Sequence, residues 1–184
     1  MGIVQRSRAM YYSNIKKWDI ADGAGVRVTL FVSGCTNCCP GCFQPETWDF
    51  RYGRPFTEET RQEILKAMEP EFIQGLTLLG GEPMETENQV VLAGLLKKVK
   101  ERFPQKDIWC YTGFTYEQDL RPGGRRYCSV TEEILRRLDI LVDGRFIQEK
   151  KNLMLRFKGS ENQRIIDMPS TLSEGRVVLS HWNE

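Results

Sequence analysis

Four cysteines, Cys35, Cys38, Cys39 and Cys42, fall within eight residues of the stretch "SGCTNCCPGCF". Thiols so crowded are either metal ligands or disulfide partners, and spacing and compartment decide between them. Two abutting C-x2-C pairs do not make the usual zinc knuckle, whose pairs stand about a dozen residues or more apart. Neighbouring side chains of an extended chain point to opposite sides, so Cys38 and Cys39 do not readily serve one ion. A ferredoxin-type run needs cysteine at every third position, and position 41 is glycine.

Three converging thiolates remain. Spacing favours Cys35, Cys39 and Cys42, in the pattern C-x3-C-x2-C with Cys38 as a bystander, and leaves the trio Cys35, Cys38 and Cys42 open. Three thiolates on a four-iron cubane leave one iron without a protein ligand. That is the iron–sulfur counterpart of the open position on a catalytic zinc. Such an iron can bind a chelating substrate and pass it an electron.

The flanking residues imply the elements that hold this loop. "VRVTLFVSG" reads as a buried strand that delivers its end to the cysteines. "GLTLLGGEP", "DIWCYTG" and "DILVDGRF" read as three more, each stopping at a glycine. Between them lie helices. "TEETRQEILKAM" has Thr57 as cap and Ile64, Leu65 and Met68 as its apolar face. "TENQVVLAGLLKKVKERF" has a capping-box pattern, Thr86 to Gln89, and a stripe of Val90, Val91, Leu95 and Val99. "TEEILRRL" is capped by Thr131. Strand and helix alternating in this way imply a parallel sheet with crossover helices, whose sites lie at the carboxyl ends of the strands. The cysteine loop, "GGEP", "YTGF" and "VDGRF" are therefore expected on one rim. At 184 residues the chain is too short for a complete eight-unit barrel of about 250. An α/β partial barrel, open on one side and forming a single domain over 1–184, fits the length.

Composition excludes more than it assigns. With 40% hydrophobic and 28% charged residues and a net charge of +1, the chain carries no broad footprint for nucleic acid or membrane. No apolar run approaches the roughly 18 residues of a membrane span. The amino terminus lacks the apolar core of a signal peptide, and Arg6 stands where a myristoylation signal needs Ser or Thr. A cytoplasmic protein with reduced thiols is the expectation, with Cys110 and Cys128 as ordinary residues. There is no Walker loop and no Ser-His-Asp arrangement, and His181 reads as a solvated terminal residue. Arg27 reads as a surface residue of its strand, with pairing to a carboxylate near the cluster as the alternative. "RPGGRRYCSV" reads as an exposed loop whose Arg125 and Arg126 are free to meet a partner.

With the three-cysteine motif after one strand and "GGEP" ending the next, the sequence resembles the radical S-adenosylmethionine enzymes. "DGAGVRVTLFVSGC", "CPGCFQPETWDF", "IWCYTGF", "LVDGRF" and "GSENQR" carry the likeness from Asp22 to Arg164. Together they resemble the family of activating proteins of the anaerobic ribonucleoside-triphosphate reductase. Gln44 and Ala24 depart from that pattern. The resemblance implies a partial (β/α) barrel of the radical SAM type and a 4Fe-4S cluster on Cys35, Cys39 and Cys42. It implies S-adenosylmethionine chelating the open iron, with Gly41 and Phe43 beside the cofactor and Gly80 and Gly81 receiving its methionyl end. Glu82 stands either as a cofactor-orienting carboxylate or as a cap of the following segment. The implied activity is reductive cleavage of S-adenosylmethionine, leaving a glycyl radical on the reductase, with electrons from a flavodoxin or ferredoxin in anaerobic cytosol. The rivals are an activase of the pyruvate formate-lyase type, a radical enzyme acting on a small molecule, and a non-enzymatic iron–sulfur or zinc module.

Overall fold

The computed structural model describes residues 9–184; the expectations drawn from residues 1–8, Arg6 among them, lie outside that range. The four runs of β-branched and apolar residues form the parallel centre of one sheet: β2 (Val26–Val32), β4 (Ile73–Gly80), β5 (Asp107–Tyr111) and β6 (Ile140–Asp143). Three strands not expected from the sequence complete it: β1 (Tyr11–Asp19), β3 (Arg54–Pro55) and β7 (Arg164–Asp167). The order is β3-β1-β2-β4-β5-β6-β7, with β3, β1 and β7 antiparallel to their neighbours. β3 and β7 are the two ends of that order, so the sheet is not closed. β1 escaped notice because, near the sheet edge, it carries Lys16, Lys17 and an exposed Trp18 instead of a clean apolar alternation. β7 is only four residues long.

Alternation along the strands separates two faces. Val28, Leu30, Leu76, Leu78, Ile108 and Leu141 point to the main apolar core, shared with the helices α1 (Glu58–Ala67), α2 (Thr86–Arg102) and α3 (Thr131–Leu135). The intervening residues Thr29, Thr77, Trp109 and Ile140 stand in register across the other face. Thr57 caps α1 as its position implies, accepting from the Thr60 N–H at 3.4 Å.

The other two expected caps do not form. Glu85 precedes α2, and Gln89 turns inward, where its amide donates to the Met84 and Arg126 carbonyls at 2.8 Å each. Gln89 therefore lies on the buried side with Leu92, Leu96 and Val99, and Val90 is left exposed. Thr131 sits inside α3, its hydroxyl donating to Gln89 Oε1 at 2.6 Å. In both cases a tertiary partner outcompetes the local cap. A fourth helix, α4 (Met168–Glu174), begins where the Asp167 carboxylate accepts from Ser170 N–H at 2.9 Å. Among the described residues no helix is long and apolar enough to cross a membrane.

Arg27 is the clearest departure from sequence expectation. It is fully buried on the inner face of β2. Its guanidinium donates to Thr77 Oγ1 at 2.7 Å, to the Ala24 carbonyl at 2.9 Å and to the Leu76 carbonyl at 3.0 Å, and it pairs with Asp107. The Trp109 ring lies 5.3 Å away. One charged side chain thus ties together β2, β4, β5 and the Asp22–Gly25 loop. A planar fork of five donors can do this; an ammonium cannot. Arg27→Met should strand Asp107 and two carbonyls, destabilising the fold by about 3 kcal/mol in urea-induced unfolding. Unfolding within error of wild type would show that the fork is not what holds these strands.

Candidate active site

The carboxyl ends of the parallel strands meet on one rim, as the alternation implies. After β4, Gly81 N–H donates to the Val32 carbonyl at 2.7 Å and Glu82 N–H to the Gly34 carbonyl at 2.9 Å. A Cβ on Gly81 would stand 2.8 Å from Gly34 O and 2.9 Å from Thr47 O, so only glycine lets the two strand ends approach this closely.

Glu82 lies at the centre of this rim and is 1% exposed. Oε1 accepts from Met84 N–H (2.9 Å) and the Thr112 hydroxyl (2.7 Å); Oε2 accepts from Gly113 N–H (2.7 Å) and Asn37 Nδ2 (3.0 Å). One carboxylate therefore caps its own following segment, fixes the end of β5 and holds the cysteine loop. Burial pushes its pKa up to about 7, against the pull of the Met84, Thr112 and Gly113 donors and with a further push from Glu85.

A second buried carboxylate, Glu85, accepts from the backbone N–H and the hydroxyl of Thr36. Arg126 lies 3.5 Å from Glu85 and donates to Thr36 Oγ1 at 2.8 Å. Arg125 pairs with Asp119. The segment read as an exposed docking loop thus clamps the back of the cysteine loop through Arg126. Arg145 donates to the Asn37 carbonyl at 2.7 Å.

In front of the cysteine loop, on the inner face, lies a cavity of about 420 Å³. That size lies within the range of small-molecule sites. Cys35, Cys39, Cys42, Phe43, Gly80, Gly81 and Glu82 all line it. Gly41 does not; its α-carbon backs onto the Gln148 side chain. Cys38 is not in the wall either. It takes a left-handed conformation (φ 45°), is exposed, and turns its thiol toward the Cys35 carbonyl at 3.8 Å. Among the described residues no three His, Cys, Asp or Glu side chains are gathered as a single-ion site.

Several other wall residues carry no individual signature in the sequence, although "YTGF" and "VDGRF" are expected on this rim. Leu79 and Tyr111 come from β4 and β5, and Asp22 comes from the loop after β1. Phe146, Leu155 and Phe157 come from the segment after β6. Phe146 meets Phe43 with ring centroids 5.7 Å apart, and the Lys151 ammonium lies 5.0 Å over the Phe43 ring. Gly144 also lines the cavity. Asp143 instead turns away to accept from Arg164 Nε (2.9 Å) and Tyr116 N–H (2.8 Å). Asn162 donates to the Arg145 carbonyl at 2.8 Å. "GSENQR" therefore ties down the segment after β6.

Burial and the nearby Glu82 push the free Cys35 thiol up to about 12. Burial and a carboxyl–carboxyl hydrogen bond to Asp19 push Asp22 up to about 7. Asp19, despite its own burial, is held below the ordinary range by Asp22, Thr29 and the Ala21 N–H. A cleft of about 430 Å³ at the opposite rim includes Asp107, Asp139 and Asp167 in its wall, but each is engaged, by Arg27, by Lys100 and as the cap of α4.

Comparison with known proteins gives this geometry a context. The family described as a 4Fe-4S single cluster domain matches residues 21–166. An anaerobic ribonucleoside-triphosphate reductase-activating protein of Pasteurella multocida is 40% identical over 85% of this chain and 96% of its own length. The protein of that name from Enterobacteria phage T4 is 39% identical over 85% and 93%. That of Escherichia coli K12 is 34% identical over 84% and 96%.

Two outcomes follow from the carboxylates Glu82 and Asp22. All four partners of Glu82 are donors, so Glu82→Gln sets an amide against them; a loss of about 2 kcal/mol is expected in denaturant unfolding. An unchanged midpoint would overturn the hub role. Asp22 has a folded pKa of about 7 against an ordinary 3.8. Its contribution is complete below the ordinary value and is lost as pH rises through about 7. Asp22→Asn should flatten that decline, so that its melting temperature gains on wild type between pH 5 and pH 8; parallel curves would refute the shift.

Proposed function

From the premise that this chain belongs to the family of anaerobic ribonucleoside-triphosphate reductase-activating proteins, we propose that it activates such a reductase by radical S-adenosylmethionine chemistry. The observation that carries this reading is the cavity faced by three thiols of one loop, with the fourth turned outward. That donor set fits a 4Fe-4S cluster with one open iron better than a four-thiolate structural site.

On this reading the whole chain, 1–184, works as one domain, a partial (β/α) barrel of the radical SAM type. Cys35, Cys39 and Cys42 would hold the cluster. When bound, cluster and S-adenosylmethionine together would supply a 5′-deoxyadenosyl radical that takes hydrogen from a glycine of the reductase, on an electron from a flavodoxin or ferredoxin. The protein's own contribution is position and exclusion. Asn37, held by Glu82 and Arg145, and Thr36, held by Glu85 and Arg126, fix the loop that carries the thiols. Gly80, Gly81 and Glu82 present a close rim for the methionyl end, where Glu82 both caps and positions. Gly41, with no side chain, lets the loop turn against Gln148, and Phe43 packs on Phe146 at the cavity wall.

The test is anaerobic reconstitution with iron and sulfide, then dithionite, S-adenosylmethionine and the full-length reductase. 5′-Deoxyadenosine and a glycyl radical signal on the reductase are expected. Cys39→Ala should lose cluster iron and both products, whereas Cys38→Ala should keep them. Equal loss in the two variants would sink the ligand assignment, and zinc uptake without iron would sink the activity. A radical on pyruvate formate-lyase alone would move the substrate.

A further inference from the structure

The segment after β6 has an outer side that the fold does not explain. Ile147 N–H donates to Ser160 Oγ at 3.2 Å, Glu161 N–H donates to the Lys150 carbonyl at 2.9 Å, and Lys151 bridges Ser160, so the segment closes on itself as a loop. Its tip is a tight turn. The Asn152 carbonyl accepts from Leu155 N–H at 3.3 Å, and Asn152 Oδ1 accepts from Met154 N–H at 2.9 Å. The corner residues of that turn are Leu153 and Met154, 85% and 91% exposed, more than any other large apolar side chain among the described residues. Corners normally carry Gly, Asn, Asp, Pro or Ser, because those residues favour the turn. Leucine and methionine do not; here they place two adjacent apolar side chains in water.

The tip is also continuous with the cavity. Leu155, Phe157 and Gly159, the next residues of the same loop, line it, and Lys151 lies over Phe43 at its mouth. Lys150 and Lys151 precede the tip, the Lys151 ammonium over the Phe43 ring, whereas the Arg156 guanidinium after it stacks over Phe157 (4.8 Å) and Trp182 (4.7 Å). Two carboxylates belong to the same loop, Glu149 and Glu161, and Glu161 Oε1 accepts from Asn152 Nδ2 at 3.1 Å. An exposed apolar pair inside a polar rim that includes two lysines is the anatomy of a protein-docking surface, and methionine adapts well to such contacts.

We infer that the turn Asn152–Leu155 docks the reductase, Leu153 and Met154 anchoring the segment that brings the target glycine to the cavity beside Phe43. This rests on the proposed activation of that reductase. The complementary chemistry is a pair of apolar pockets flanked by carboxylates. Because one side of the loop forms the cavity wall and the other meets the partner, docking and access to the reacting centre share one element.

The test uses cluster-loaded protein and the full-length reductase. Leu153→Ser with Met154→Ser should weaken binding by about tenfold or more, as expected for a central anchor, and lower the glycyl radical yield in parallel. 5′-Deoxyadenosine formed with dithionite alone, and the thermal unfolding midpoint, should stay at wild-type values. Lys150→Glu should weaken binding at low salt, the difference fading as ionic strength rises. Wild-type affinity in the double variant overturns the inference while leaving the proposed activity intact. So does a change confined to self-association of this chain or to reduction by flavodoxin. Absence of reductase binding and of a glycyl radical in the wild type, with S-adenosylmethionine still cleaved, overturns both.

Discussion

The rim depends on one buried carboxylate. Among the described residues Glu82 is met by four donors and no cation, and the donors come from its own segment, from the end of β5 and from the cysteine loop. A buried anion is tolerated only if its lone pairs are filled, so the three pieces are obliged to meet around it. Burial raises the Glu82 pKa in spite of these donors. The glycines before it set how near the strand ends come, and the donors after it set where the loop goes.

Arg27 plays the corresponding part at the other end of the same strands. It too is a buried charge with a full complement of partners, and it too joins three consecutive elements of the sheet. Between these two junctions the inner face of the sheet carries few aliphatic residues across β2 and β4, where Thr29 meets Thr77. The outer face is conventional apolar packing against helices. The sheet is thus held by hydrophobic burial on one side, and on the other by fixed polar geometry across β2 and β4 beside a smaller apolar cluster of Trp109, Ile140, Val142 and Ile165; the cavity lies on this second side.

The parallel strands, their order along the chain and the rim where they end were legible because short β-branched runs stopping at glycine alternate with helical periodicity. The cysteine trio was legible only as two alternatives; which thiol turns out depends on a left-handed Cys38, a conformation no spacing rule reveals. Arg27 was misread because burial of an arginine depends on partners 49 and more residues away, which strand patterning does not encode. The caps at Thr86 and Thr131 failed for a similar reason: Gln89 found tertiary partners better than the local ones. Asn37 and Thr112 looked like filler between recognisable residues. Their importance lies wholly in what they donate to.

The bond from Arg145 to the Asn37 carbonyl joins residues 108 positions apart. Its consequence is temporal. A chain made at about 5–20 residues per second leaves roughly 5–20 s between the emergence of the two residues. Throughout that interval the thiols are displayed on a nascent chain that lacks the far wall of their cavity. All four thiols of the loop are local in sequence, whereas much of what walls them in, from Leu79 to Gln163, is distant. Newly made protein is therefore most open to iron and to oxidant at the same moment, before translation has supplied the residues that close over the loop.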